Sequence, residues 1–157
     1  LLSMDGKNEV PSEKRNGNRA DKLTISDYPL ASKKPELVKT LTDKGLNDIT
    51  LEAVLSGKIM PQDIKISDAT LEMQAQIAES AGRKSFARNL RRAAELSLIP
   101  DERILEIYNS LRPYRSTKND LLEIADELET IYNAKITSDF VREAAEVYES
   151  RGRLLTE

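Results

Sequence analysis

The chain has 157 residues, 39% hydrophobic and 32% charged, with a formal net charge of −3. That supports one modest core, and the acidic balance argues against a dedicated nucleic-acid binder. Cysteine and histidine are both absent, which removes disulfides, thiolate nucleophiles and Cys-based metal sites, and with them the commonest general acid–base and metal ligand.

The lack of cysteine fits a reducing interior. No apolar run approaches the roughly 18–20 residues needed to span a bilayer. The chain begins at Leu1 rather than Met, so a native N-terminus upstream is expected.

Residues 1–22 are expected to form a disordered or targeting tail. From Gly6 to Lys22 the only apolar side chains are Val10, Pro11 and Ala20, too few to offset the entropy of ordering. Leu1, Leu2 and Met4 read either as the remnant of an amphipathic helix cut short by Gly6 or as a frayed end. Residues 23–57 are expected to form an irregular arm with one short helix. Pro29 and Pro35 lack amide donors and push the residues before them toward extended conformations. Yet the arm carries Leu23, Ile25, Tyr28, Leu30, Leu37, Val38 and Leu41. A chain so studded with apolar groups must lie on something, either its own core or a partner.

From residue 58 to 157 helix signals dominate and predict a helical domain. The short arm helix, Leu51 to Ser56, has Thr50 as its cap and Gly57 as its stop. Ser67 or Asp68 caps the next, which ends near Gly82. Another spans about 83–97, before Pro100. Asp101 begins one that Pro113 terminates. Ser116 or Thr117 caps an acidic helix reaching about Tyr132, and Thr137 or Ser138 caps the last, which ends near Gly152. No segment sustains strict alternation and no repeat is evident. The expected fold is all-α, a small open helical bundle with an irregular, extended N-terminal arm.

The helix faces carry further expectations. In the 83–97 helix Phe86, Leu90, Ala93 and Ala94 fall on one side, and Lys84, Arg88, Arg91, Arg92 and Glu95 on the other. In the 101–111 helix Ile104, Leu105, Ile107, Tyr108 and Leu111 spread around most of the circumference. Such a helix is buried on more than one side, and the second side can be another subunit.

Several clusters invite a chemical reading. The face Lys84, Arg88, Arg91 and Arg92 could bind phosphates, as in a free-standing helical regulator or nucleic-acid-binding module. A solvated face, or ion pairs to carboxylates, accounts for it better, because interleaved aromatics are missing. Glu123, Asp126 and Glu127 stand at i, i+3 and i+4, but di-metal bundles use Glu-x-x-His ligands, so a solvated acidic face is expected. Glu143, Glu146 and Glu149 read the same way. The segment Leu111 to Lys118 joins two helices. Helix-end chemistry explains Arg112, Pro113 and the cap, but not Tyr114 and Arg115, and an exposed Tyr–Arg pair is typical of interface anchors. No phosphate-binding glycine loop and no nucleophile–base constellation is present. No catalytic, cofactor-binding or metal-ligating residue is therefore assigned.

The string Ser26-Asp27-Tyr28-Pro29-Leu30-Ala31 is followed by Thr50-Leu51-Glu52, Val54-Leu55-Ser56 and Gln62-Asp63. Later come Arg92-Ala93-Ala94-Glu95-Leu96, Ile99-Pro100-Asp101-Glu102-Arg103-Ile104-Leu105, the Leu111–Lys118 segment and Phe140-Val141-Arg142-Glu143. In this order and spacing the chain resembles, from about Ser26 to Leu155, the small (gamma) subunit of adenosylcobalamin-dependent diol and glycerol dehydratases.

The resemblance implies an enzyme that is a dimer of heterotrimers of large, medium and small subunits. It converts 1,2-propanediol, glycerol or ethanediol to the aldehyde and water by a radical mechanism begun at the cofactor's cobalt–carbon bond. It implies that substrate and a metal ion sit in the large subunit, and that adenosylcobalamin lies between the large and medium subunits, not on this chain. The small subunit is then a helical, non-catalytic partner packed on the large one. The tail resembles that of diol dehydratases of bacterial microcompartments, which implies a cytoplasmic enzyme inside such a shell and a propanediol-type substrate. No nucleic acid and no membrane is expected as a partner. Tyr28, Leu30, Ile104, Tyr108, Arg112, Tyr114 and Arg115 are the candidate subunit contacts.

Overall fold

The computed structural model describes residues 22–156; the expected tail lies outside them except for Lys22. The described chain is helical, with no strand, and a single antiparallel bridge joins Lys39 to Gly45. The all-α reading holds.

The arm holds more local structure than its prolines suggest. It carries 3₁₀ turns at Ile25–Asp27, Pro35–Leu37 and Leu46–Asp48 and two short helices where one was expected, α1 (Leu30–Lys33) and α2 (Leu51–Leu55); a third short helix, α3 (Pro61–Ile64), extends it past residue 57. Pro61 opens α3, where its missing N–H is no loss. Thr50 caps α2 as expected, accepting from the Ala53 amide at 3.1 Å.

Two helical hairpins follow. The first pairs α4 (Asp68–Ser80) with α5 (Lys84–Leu96), the second α7 (Lys118–Thr130) with α8 (Lys135–Ser150); α6 (Asp101–Ser110) lies between them in sequence. Ser67 caps α4 and Thr117 caps α7 through side-chain acceptors to Thr70 and Asp120 amides. Between α4 and α5 the backbone of Gly82 takes φ +77°, a left-handed conformation that glycine adopts without steric cost.

The main core lies between α7 and α8. Leu121, Ala125 and Leu128 recur on one stripe of α7, and Val141 and Ala145 on one stripe of α8, all fully buried. Alanine on both helices permits close approach of the axes. Ile99 and Ile107 close one side of this core, with Ile104 and Leu111 of the α6 region packed against it. A smaller cluster of Leu23, Leu30 and Ile77 fixes the start of the arm to α4, and Ala75, Ala78 and Ala87 fill the α4–α5 seam.

Two expectations need correction. The last helix begins at Lys135, so neither Thr137 nor Ser138 caps it. Its cap comes from far away in sequence: the Glu95 carboxylate at the end of α5 accepts from the amides of Ile136 at 2.9 Å and Thr137 at 2.7 Å, and from the Thr137 hydroxyl at 2.7 Å. The negative charge also suits the positive end of the α8 dipole. Secondly, the apolar side of α5 is buried only in part: Leu90 packs on the Ala75, Ala78 and Ala87 cluster, and Ala93 and Ala94 are half-buried. The helix presents Ala87 and Arg91 to α4, and Glu95 and Arg92 to α8, while Phe86 is left exposed.

The arm has a polar centre of its own. Asp63 is buried, and its carboxylate accepts from Lys44 Nζ at 2.6 Å, from the Met60 amide at 2.8 Å and from the Thr42 hydroxyl. Lys44 also donates to the Lys58 carbonyl at 2.7 Å. These bonds tie the turn at 40–45 to α3. The Lys44 ammonium first, then the Met60 amide and the Thr42 hydroxyl, hold the Asp63 carboxyl down to about 2.

A depressed carboxylate stabilises the fold at any pH above its ordinary value. That contribution fades as pH falls through about 4 and is gone near 2. The protection of amides in residues 40–64, relative to their intrinsic exchange at each pH, is therefore expected to fall across that window, and Asp63→Asn is expected to lower it already at neutral pH. Unchanged exchange in the variant contradicts the role assigned to Asp63. For the inter-hairpin cap, Glu95→Ala leaves the Ile136 and Thr137 amides without their acceptor and is expected to lower stability by about 1–3 kcal/mol, read as a lower urea midpoint of the helical signal.

Candidate partner-docking surfaces

The arm, α4 and α5 enclose an apolar groove of about 940 Å³. Ile25, Tyr28 and Pro29 form one wall, Ile77 and Ala78 the floor, and Phe86 and Leu90 the other wall, with Arg83 also lining it. The groove exists because the first cluster pins residues 23–30 against α4 while α5 turns Phe86 outward. Tyr28 is 65% exposed and can meet a partner. Leu30 lines the groove but is 6% exposed and belongs to the cluster with Leu23 and Ile77. The apolar pattern of the arm is thus divided between the chain's own core and its surface.

The wide apolar arc of α6 is buried within this chain on one side only. Ile107 enters the core and Ile104 packs against it, whereas Leu105 and Tyr108 point outward, more than three-fifths exposed. Ile104 is thus an internal contact, and Tyr108 is the accessible one.

At the corner between α6 and α7 the structure divides the candidate residues again. Tyr114 has φ +63°, in the left-handed region that a bulky side chain rarely takes. Its amide donates to the Arg153 carbonyl at 2.8 Å, and Arg153 donates to the Tyr114 hydroxyl at 2.7 Å and lies over the ring. The Leu155 amide donates to the Ser116 carbonyl at 2.9 Å, and the Tyr148 hydroxyl to the Leu111 carbonyl at 2.6 Å. Tyr114 therefore clasps the segment after α8 onto the corner. Arg112 and Arg115 are exposed, and among the described residues neither has a salt-bridge partner within 4.0 Å.

The basic face of α5 is largely consumed within the chain. Arg91 donates to Glu72 and Glu79 of α4, each at 3.0 Å, and Arg92 lies 4.5 Å over the Phe140 ring. Arg91 first, with Lys22 behind it, holds the Glu79 carboxyl down to about 2. Lys84 and Arg88 stay in solvent. Arg88 and Arg92 line a small polar recess of about 230 Å³ with Ser85, Asn89, Phe140 and Glu143. A row of phosphate-binding side chains is not what α5 presents.

The acidic positions on α7 are likewise mostly paired, which the sequence reading missed. Asp126 and Glu129 receive Arg142 at 2.6 and 3.1 Å, and Glu127 receives Arg103 with Nε–Oε1 at 2.9 Å. Glu149 of α8 pairs with Lys118 at 2.6 Å, while Glu123, Glu143 and Glu146 are exposed. Among the described residues no three acidic, His or Cys side chains are arranged to hold a metal ion. No helix there is long and apolar enough to cross a membrane.

The sequence reading placed α2 but not its outer surface. Leu51, Leu55 and Ile64 are all more than three-fifths exposed. The available signal was Leu51, Val54 and Leu55 at i, i+3 and i+4, a spacing that puts all three on one face.

These surfaces suit a protein that is completed by others, and comparison with known proteins points the same way. The family model of the dehydratase small subunit matches residues 23–155. Over 154 residues, the chain is 54% identical to a propanediol dehydratase small subunit of Citrobacter freundii, covering 98% of this chain and 88% of that one. It is 58% identical over 138 residues to a protein of the same name from Salmonella typhimurium, covering 88% and 80%. The chain belongs to the dehydratase small-subunit family.

Proposed function

We propose that this chain is the small, non-catalytic subunit of a coenzyme-B12-dependent diol dehydratase. The enzyme acts on 1,2-propanediol, and also on glycerol and ethanediol, giving the aldehyde and water by a radical route. The observation that carries this reading is the identity of more than half the residues with propanediol dehydratase small subunits over nearly the whole chain. The role of the chain is to complete and stabilise a dimer of heterotrimers with large and medium subunits. The exposed apolar side chains Tyr28, Leu105 and Tyr108 support it, because apolar area left in water on a small chain stabilises only once a partner covers it.

Adenosylcobalamin is assigned to the other subunits. The donor set of this chain does not fit the group: it has neither histidine nor cysteine to offer the cobalt, and among the described residues no three acidic side chains gather to hold a metal. When bound, the cofactor supplies the radical. The residues of this chain supply contact surface, with Tyr28, Tyr108, Arg112 and Arg115 as the exposed candidates. The enzyme is placed in the cytoplasm inside a bacterial microcompartment, with residues 1–22 as the segment that meets the shell. Leu1, Leu2 and Met4 followed by a polar run support that placement.

Expressed alone, the chain is expected to be partly unfolded or aggregated and to turn over no diol. Expressed with the large and medium subunits, it should co-purify with two larger chains of unequal size that bind cobalamin and dehydrate 1,2-propanediol. A cooperative, monomeric melt of the isolated chain, with no gain in stability from the large subunit, overturns the assembly role.

A further inference from the structure

The arm ends in a surface that nothing in the described chain covers. Between residues 51 and 66, six large apolar side chains, Leu51, Val54, Leu55, Met60, Ile64 and Ile66, are each more than two-fifths exposed. Neither α2 nor α3 is among the helices that pack closely on another. Together these side chains present an apolar area on the order of 600 Å². That is at the top of the range for a monomer's largest patch and close to the roughly 800 Å² per partner of a standard interface.

The charges around the patch narrow what can sit there. Its charged side chains are Glu52, Lys58, Asp63 and Lys65. Asp63 is buried and satisfied by Lys44, and Lys65 is engaged by Asp101 at 2.8 Å. One acid and one base are left over 16 residues, so a phosphate-rich or strongly charged partner has little to bind. The patch is also held in place. The buried Asp63 network ties α3 to the 40–45 turn, and the Lys58 and Ile59 amides donate to the Ala53 carbonyl at 2.9 and 3.1 Å, tying α3's approach to α2. A surface fixed before binding loses less entropy on association.

We infer that the outer face of α2 and α3 is the principal seat for a larger subunit of the same dehydratase, which meets it with an uncharged apolar surface of its own. This rests on the reading of the chain as a dehydratase subunit, and it adds a contact beyond Tyr28, Tyr108 and the α6–α7 corner. Leu51 and Leu55, at 74% and 79% exposed, are its central side chains.

The test uses the whole complex, with all subunits co-expressed and a larger subunit tagged. L51D/L55D should reduce retention of the small subunit at least about tenfold, whereas L51M/L55M should keep it near the wild-type level. Retention of the wild type should survive high salt, because the contact is apolar. In the native wild-type complex, Leu51 and Leu55 should be labelled by hydroxyl radicals far less than after the same complex is denatured, a readout that depends neither on a variant nor on how the isolated chain folds. If the wild type is retained and L51D/L55D is retained equally, the seat is elsewhere and the subunit reading stands. If Leu51 and Leu55 are labelled in the native complex as readily as in the denatured one, the seat is likewise overturned. If the wild type is retained by no larger subunit, or associates only with copies of itself, the subunit reading falls and this inference with it.

Discussion

One carboxylate holds the two halves of the bundle together. Glu95 sits at the end of α5 and closes the first turn of α8 through two amides and a hydroxyl. The α4–α5 and α7–α8 hairpins each have an internal seam of alanine or leucine, and between them Leu96 at the end of α5 packs against the α7–α8 core. To that apolar contact the charge-assisted cap and Arg92 over Phe140 add narrow geometric tolerance. A directional contact fixes orientation where a thin apolar seam would let the hairpins slide. The surfaces offered to partners, on the arm, on α6 and on the α6–α7 corner, inherit their mutual positions from that arrangement.

What was legible in the sequence is what is local. Thr50, Ser67 and Thr117 could be named as caps because the acceptor and the amide it serves are three residues apart. Gly57, Gly82 and Gly152 could be named as stops because each takes a left-handed backbone. The wide arc of α6 is also a local pattern, but which of its residues enter the core, Ile107 rather than Leu105 and Tyr108, is decided by the packing of α7 and α8. The errors all involve partners distant in sequence. The α8 cap was sought at Thr137 because Glu95 lies about 40 residues upstream. Leu30 was read as a contact because periodicity cannot say which of two neighbouring surfaces an extended segment covers.

The corner at Arg112–Arg115 shows the same limit from the other direction. Helix-end chemistry explained Arg112 and Pro113 but not Tyr114, and an interface was the natural inference. The structure supplies an internal reason instead, since Tyr114 clasps Arg153. A residue that looks functional because no local rule explains it can be serving a contact with the far end of its own chain. Arg115 has no such internal explanation and keeps its place among the surface candidates.

The position of the α2–α3 face within the chain also has a consequence in time. The face is complete by Ile66, whereas the α7–α8 core closes only once Ser150 has been made. At ribosomal speeds of about 5–20 residues per second, the arm leads that core out of the ribosome by roughly 5–15 s. During that interval the nascent chain displays its stickiest surface with no finished bundle behind it. A subunit already present nearby can occupy the face before other exposed segments do, so that proximity of synthesis becomes a determinant of yield alongside the affinity of the finished parts.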